Sequence, residues 1–148
     1  MQALYAGDRG RAEALRHPEL DVFDAAALGD VERLRALFEV DPSLVSAWSG
    51  DGFTPLHYAV FFGSPETVRV LAELGADLHA AARNEEIAGR ALPLHSAVAA
   101  GRRETIEALL AAGADPRAER PGGGTALDEA ELTGRTELAE LLRSATRS

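Results

Sequence analysis

The segment TPLHYAVFFG, from Thr54 to Gly63, decides the fold because it returns along the chain at a nearly constant spacing. It recurs as LPLHSAVAAG (Leu92–Gly101), as TALDEAELTG (Thr125–Gly134) and more weakly as LDVFDAAALG (Leu20–Gly29). The glycines that close these segments are 34, 38 and 33 residues apart. A second segment with helical apolar spacing follows each glycine, so the pattern predicts four units of two short helices.

Helix boundaries can be predicted within a unit from its capping residues. Thr54 precedes Pro55, and Ser64 precedes Pro65, which is the arrangement of an N-cap followed by proline at the first helical position. Gly75 is placed to end the second helix in a left-handed conformation. Each helix buries one apolar stripe, which requires a neighbouring unit to cover it.

Composition limits the possible function classes. Apolar residues make up 46% of the 148 residues, aromatic residues only 5%, and 29 residues are alanine, which favours closely packed helices over a β-sandwich or barrel. The formal charge of −9 disfavours binding to nucleic acid or to an anionic membrane surface. Cysteine is absent, and the N-terminal segment has neither the apolar run of a signal peptide nor that of a membrane span, so we expect a cytoplasmic protein.

The segments TPLHYA, LPLHSA, LAELGADLHA and LLAAGADPRA resemble ankyrin repeats. The resemblance implies an all-α, right-handed solenoid of about four helix-turn-helix repeats with short hairpin loops and a degenerate helical N-terminal cap. We place the cap at 1–18 and the repeats at 19–50, 51–89, 90–122 and 123–148, the last of which closes the stack. The composition, rich in arginine and alanine and lacking lysine, is typical of a GC-rich bacterial gene.

Three departures from the repeat pattern mark where the structure should differ between units. Leu92 replaces the capping threonine, and Asp128 replaces the histidine. The first unit joins the second through DPSLVSAWSGDG, so we expect an irregular hairpin there. The spacing of 38 predicts about five extra residues between His79 and Leu92, in an enlarged loop.

Histidines and acids suggest chemistry but form no catalytic set in the sequence. The resemblance implies that His57 and His95 hydrogen-bond the threonine and the neighbouring turn, whereas His17 and His79 lie in separate turns, so we expect no metal site. The neighbours His95 and Ser96 point in different directions on a helix and cannot act as base and nucleophile.

Two further motifs receive structural interpretations. Pro121-Gly-Gly-Gly-Thr125 lacks the lysine and spacing of a phosphate-binding loop and is predicted to be a hairpin tip. The acidic pairs Glu85–Glu86 and Asp128–Glu129 lie on exposed turns, without the pocket that glycosidase chemistry needs. We therefore expect no enzyme activity and no cofactor.

The remaining candidate site is a surface patch. Five of the eight aromatic residues lie between positions 48 and 62. The predicted partner-binding residues combine these aromatics with polar residues of the inserted loop 81–89 and one position of the third repeat: Trp48, Phe53, Tyr58, Phe61, Phe62, Arg83, Glu86 and Ser96. An apolar centre with a polar rim is typical of protein interfaces. The alternative for Trp48 and Phe62 is that they fill gaps left by the irregular first unit and by the alanine-rich third unit.

The leading functional hypothesis is a non-catalytic module that binds another cytoplasmic protein through its concave face and hairpin loops, as solenoids do. Under this hypothesis we expect the chain to be a monomer in the absence of its partner. Two alternatives stay open. One is a homodimer formed through the same aromatic patch. The other is a small-ligand-binding or enzymatic protein on the same fold.

Overall fold

The computed structural model describes the backbone of residues 18–84 and 89–147, and the side chains from Val22 onward within those ranges. The predicted N-terminal cap at 1–18 therefore lies outside the described residues, except that a helix already begins at Pro18.

The described residues form four antiparallel helix pairs and no β-strand. The helices, in chain order, are α1 (Pro18–Leu28), α2 (Val31–Val40), a 3₁₀ helix (Pro42–Ser46), α3 (Pro55–Phe62), α4 (Pro65–Glu73), α5 (Pro93–Ala100), α6 (Arg103–Ala112), α7 (Ala126–Leu132) and α8 (Thr136–Arg147). The odd-numbered helices, called inner helices below, pack in the order α1, α3, α5, α7, and the outer helix α4 packs on α6. The predicted all-α solenoid is confirmed.

Small residues bring the inner helices close together. Ala26, Ala59, Ala97 and Ala130 are fully buried at their centres. Gly63 marks the closest approach, because a Cβ atom there would lie 2.7 Å from the carbonyl oxygen of Ala26 in the preceding repeat. Leucine, valine and isoleucine from the outer helices complete one continuous core. The stack is thus held by the apolar burial that the repeat pattern predicts.

A hairpin turn precedes each of the last three inner helices. The amide of Ser49 donates to Phe53 O at 2.8 Å, and Arg120 N donates to Gly124 O at 3.1 Å, each closing a three-residue tip. In the third repeat Ala82 N donates to Ala91 O at 2.9 Å, and eight residues lie between them. The five extra residues predicted from the repeat spacing therefore enlarge this hairpin tip.

The first and last connections follow the sequence closely. The 3₁₀ helix Pro42–Ser46 stands in the irregular link that follows the first repeat. In α8, Leu138 and Leu142 are buried while Glu137 and Glu140 are exposed, which gives the predicted polar end to the stack. No helix in the described part of the chain has both the length and the apolar character needed to cross a bilayer.

Candidate functional site

Four aromatic side chains lie where the Ser49–Phe53 hairpin joins α3: Phe53, Tyr58, Phe61 and Phe62. The ring centroid of Phe53 lies 6.1 Å from that of Tyr58 in an edge-on arrangement, and Tyr58 lies 5.2 Å from Phe23 of the first repeat. One turn later, the rings of Phe61 and Phe62 are 6.0 Å apart. Helical spacing places Tyr58, Phe61 and Phe62 on one side of α3, next to the hairpin that carries Phe53.

The rings line a groove of about 360 Å³, which we call the aromatic groove. Its lining residues are Asp51, Phe53, His57, Tyr58, Phe61 and Phe62. Tyr58 and Phe53 are half-buried, whereas Phe62 is 67% exposed. Exposing most of a phenylalanine to water is unfavourable unless a partner covers it, because such a side chain gains about 1.5–3 kcal/mol on burial. The groove therefore offers apolar side chains that a partner could cover.

His57 supports the groove but is not free to react. Its Nδ1 lies 2.9 Å from Thr54 Oγ1 and accepts the Thr54 amide at 3.2 Å, while Nε2 lies 3.1 Å from the carbonyl oxygen of Ala91. Burial lowers the pKa of His57, and the hydrogen bond to Ala91 opposes this shift. Since a carbonyl only accepts, Nε2 carries a proton, and since Nδ1 accepts the Thr54 amide it carries none, so the ring is neutral. The structural role implied by the family resemblance is confirmed for this residue.

His95 repeats this arrangement with one partner missing. Its Nε2 lies 2.8 Å from Gly124 O in the next hairpin, but its buried Nδ1 has no hydrogen-bond partner within the described ranges 18–84 and 89–147. The cause is Leu92, which stands where Thr54 stands in the second repeat and provides no capping hydroxyl. Burial is the main reason that the pKa of His95 is also lowered. The bond to the neighbouring turn is confirmed, and the threonine bond is lost with the threonine.

Trp48 and Arg83 contact each other and do not line the aromatic groove. The Arg83 guanidinium carbon lies 3.8 Å from the centre of the Trp48 ring, which is a cation–π contact. The amide of Arg83 also donates to Gly52 O at 2.8 Å, and Asn84 Nδ2 donates to Asp51 O at 3.1 Å. The base of the enlarged hairpin is therefore docked on the hairpin that carries Asp51. This contact gives Trp48 a packing role at the altered connection.

The predicted partner-binding residue Ser96 does not line the aromatic groove. Ser96 is only 1% exposed, with its hydroxyl buried, so the prediction that it reaches a partner is wrong. It occupies the inner-helix position of Tyr58, but a serine there is too short to extend past its neighbours to the surface. Ala99, on the same helix, is exposed instead. Glu86 lies outside the described residues.

Exposed apolar side chains recur on the inner helices. Leu28 and Phe62 are each the last residue of their helix and are 77% and 67% exposed. Leu132, the last residue of α7, is 85% exposed. Leu28 does not line the aromatic groove, but it occupies on α1 the position that Phe62 occupies on α3, and these two helices pack side by side. The aligned segments LDVFDAAALG and TPLHYAVFFG place Leu28 and Phe62 at the same position, but Leu28 is not among the residues predicted to bind a partner.

Charge is divided between the two layers of helices. Every basic residue of the chain is arginine, and none occurs in an inner helix, whereas the outer helices contain several. Asp24 on α1 is exposed, and Asp51 lines the groove. Among the described residues neither carboxylate forms a salt bridge. The surface around the groove is therefore apolar and acidic.

The histidine rings and the run of three glycines have structural roles in the described residues. Both ring nitrogens of His57 and Nε2 of His95 contact a backbone carbonyl or a helix cap. The described residues contain no group of three or more histidines and acids able to hold a metal ion. The three glycines 122–124 all have positive φ and form the tip of a hairpin. This is the turn that the sequence predicted for them.

Two arginines have a structural role that the sequence analysis missed. Arg102 donates from Nη1 to Val60 O at 2.9 Å and from Nη2 to Gly63 O, at the end of α3. Arg135 likewise donates to Ala99 O at 3.1 Å, at the end of α5. Each arginine thus donates hydrogen bonds to carbonyls at the C-terminal end of the inner helix in the preceding repeat. Their shared position, directly after the helix-ending glycine in the third and fourth units, is the signal that could have revealed them.

Comparison with known proteins agrees with this architecture. A family model described as ankyrin repeats (3 copies) matches residues 22–120. The human DNA-binding protein RFXANK is 41% identical over 69 residues, which cover 47% of this chain and 26% of that protein. The Arabidopsis thaliana serine/threonine-protein kinase VIK is 44% identical over 54 residues, covering 36% of this chain and 12% of the kinase.

A third relative, the human NAD-capped RNA hydrolase NUDT12, is 36% identical over 64 residues, covering 43% of this chain and 14% of the hydrolase. The matched segments thus span between 12% and 26% of these three relatives.

Proposed function

Because the chain belongs to the ankyrin-repeat family, we propose that it is a non-catalytic module that binds another protein through the aromatic groove and the surface around it. Ankyrin repeats are protein-interaction modules, and their stacked helices form extended surfaces for partners. The observation that carries the proposal is the 67% exposure of Phe62 at the edge of a groove lined by three further aromatic rings. Large aromatic residues are the ones that most often dominate interface energetics.

The proposed partner is a protein of the cytoplasm rather than a nucleic acid. The formal charge of −9 supports this choice, since a phosphate backbone would be repelled. The cysteine-free composition fits a reducing compartment. The names of the relatives, which include a DNA-binding protein, a kinase and a hydrolase, describe much longer proteins and carry no activity over to this chain.

A pull-down with matched variants tests the proposed surface. The tagged wild type and the double variant Phe61→Ala/Phe62→Ala are incubated with lysate of the source organism, and captured proteins are identified by mass spectrometry. Val40→Ala is the control, because Val40 is exposed at the end of an outer helix. We expect the double variant to lose a protein that the wild type and the control both retain, with unchanged circular dichroism. Capture of the same proteins by all three would reject the groove as the binding surface.

Self-association is the second candidate, and the exposure of Leu28 beside Phe62 favours it. In a homodimer the aromatic groove of one chain would pack against the same groove of a second chain across a two-fold axis. Multi-angle light scattering at increasing protein concentration separates the two candidates. A dimer that Phe62→Ala converts to monomer supports self-association, whereas a monomer at all concentrations leaves a different protein as the partner.

A further inference from the structure

We infer that the segment bound in the aromatic groove is a basic amphipathic α-helix. The inference rests on the proposed function and specifies the partner's chemistry. The groove offers few polar groups to a ligand. Besides Asp51, only His57 and Tyr58 among the lining residues have polar side-chain atoms, and both ring nitrogens of His57 are already hydrogen-bonded within the protein.

An almost entirely apolar wall selects against an extended ligand. A peptide in β conformation presents backbone N–H and C=O groups that need partners, and each buried group left without one costs about 1–3 kcal/mol. The groove is built from helix α3 and a closed hairpin, so it offers no strand edge with which such a peptide could pair. A helix satisfies its own backbone groups and presents only side chains. The groove therefore fits the apolar face of a helix.

The spacing of the exposed apolar residues fits the same partner. Leu28 and Phe62 occupy the same position in adjacent inner helices, which pack side by side. Neighbouring packed helices are about 8–10 Å apart. Two turns of an α-helix, from residue i to i+7, rise about 10.5 Å. A helix lying across α1 and α3 can thus place apolar residues i and i+7 against Leu28 and Phe62, with i+3 or i+4 between them.

The acidic residues at the groove predict that the bound helix is basic. Asp24 and Asp51 present carboxylates with no salt-bridge partner among the described residues, and the inner helices contain no arginine to neutralise them. Arg83, on the neighbouring hairpin, stacks its guanidinium on Trp48 and forms no salt bridge with Asp51.

A lysine or arginine on the flank of the bound helix would face Asp51 in the groove wall. A second one could face Asp24, which is exposed on the adjacent helix α1 next to Phe23, the residue that packs on Tyr58. The acidic surface also attracts such a segment during encounter.

A peptide selection tests this assignment. The probe is a phage-displayed library of random peptides of about 16 residues, long enough for roughly four helical turns. Selected peptides are synthesised with a fluorophore, and binding is measured by anisotropy. Peptides count as groove ligands only if Phe61→Ala/Phe62→Ala weakens them at least about tenfold while Val40→Ala changes them less than about twofold.

We expect the groove ligands to carry net positive charge, to have apolar residues at helical spacing and to gain helical circular dichroism when bound. Asp24→Asn/Asp51→Asn should weaken them about three- to tenfold. The matched control Glu66→Gln/Glu104→Gln, which removes the same charge from exposed residues of the outer helices, should have little effect. Extended, proline-rich or acidic groove ligands would overturn the inference and leave the proposed function standing. A selection without any groove ligand would count against both.

Discussion

The Nε2 atom of His57 lies 3.1 Å from the carbonyl oxygen of Ala91, which links an inner helix to the hairpin that begins the next repeat. The same ring accepts the amide of Thr54 through Nδ1, so one side chain caps its own helix and joins two repeats. His95 makes the equivalent link to Gly124 O at 2.8 Å without the cap. This difference between two residues at the same position gives the first prediction.

Substituting alanine should cost more stability at His57 than at His95. Both variants delete the same buried side chain and one bond to a carbonyl, but only His57→Ala also removes hydrogen bonds to Thr54. We expect the free energy of unfolding to fall by about 1 kcal/mol more for His57→Ala. Urea denaturation followed by circular dichroism measures both values, and each variant is the control for the other. Equal losses would show that the Thr54 bonds contribute nothing.

Stability should decrease as the pH falls below about 6.5, the usual pKa of histidine. Burial lowers the pKa of His57 and of His95 in the folded protein, so between the unfolded and folded pKa values the unfolded chain binds protons that the folded chain does not. Above about 6.5 neither state is protonated at these residues and the effect vanishes. Each histidine can contribute at most about 1.4 kcal/mol per pH unit in this window.

Urea midpoints at pH values of about 7.5, 6.5 and 5.5 measure this dependence, in a range above most carboxylate titrations. The variant His95→Gln should show a smaller decrease between the first and last pH than the wild type. A wild-type midpoint that stays constant down to about pH 5.5 would mean that the buried rings accept protons as readily as in the unfolded chain.

Replacing Gly63 with alanine should destabilise the protein because of a contact between repeats. The new Cβ would lie 2.7 Å from Ala26 O and 2.9 Å from Ala59 O, so α1 and α3 would have to move apart. We expect a loss of about 1–3 kcal/mol, the usual cost of overpacking. Gly50→Ala is the control, since a Cβ there would meet nothing within 4 Å. A control variant that loses as much stability would remove the packing explanation.

Removing the Arg83 guanidinium should change the surroundings of Trp48, which is the only tryptophan in the chain, so its fluorescence comes from this site alone. In Arg83→Ala we expect greater quenching of tryptophan fluorescence by acrylamide and a stability loss of about 0.5–1 kcal/mol. Arg69→Ala, which removes an exposed arginine from α4, should change neither quantity. Unchanged quenching in Arg83→Ala would argue against the stacking.

The helix pairs and their caps could be predicted because they depend on local signals. Thr54 and Ser64 cap their helices as expected, and Gly101 and Gly113 end theirs in the left-handed conformation. The position of the extra residues before Leu92 could also be predicted. Because the helices keep the same length in every repeat, an insertion can only lengthen a loop. The binding residues were harder to predict, because burial depends on neighbours from other repeats. Ser96 illustrates this limit.

By itself, the sequence determined that the chain forms stacked helix pairs, because apolar spacing, capping residues and glycine positions act within one unit of about 33 residues. Only the tertiary structure decided that Trp48 is covered by Arg83 and that Phe62 stays open to solvent. It also decided that Arg102 reaches the end of α3. These outcomes depend on contacts between side chains far apart in the chain, and such distances exist only after the repeats have stacked.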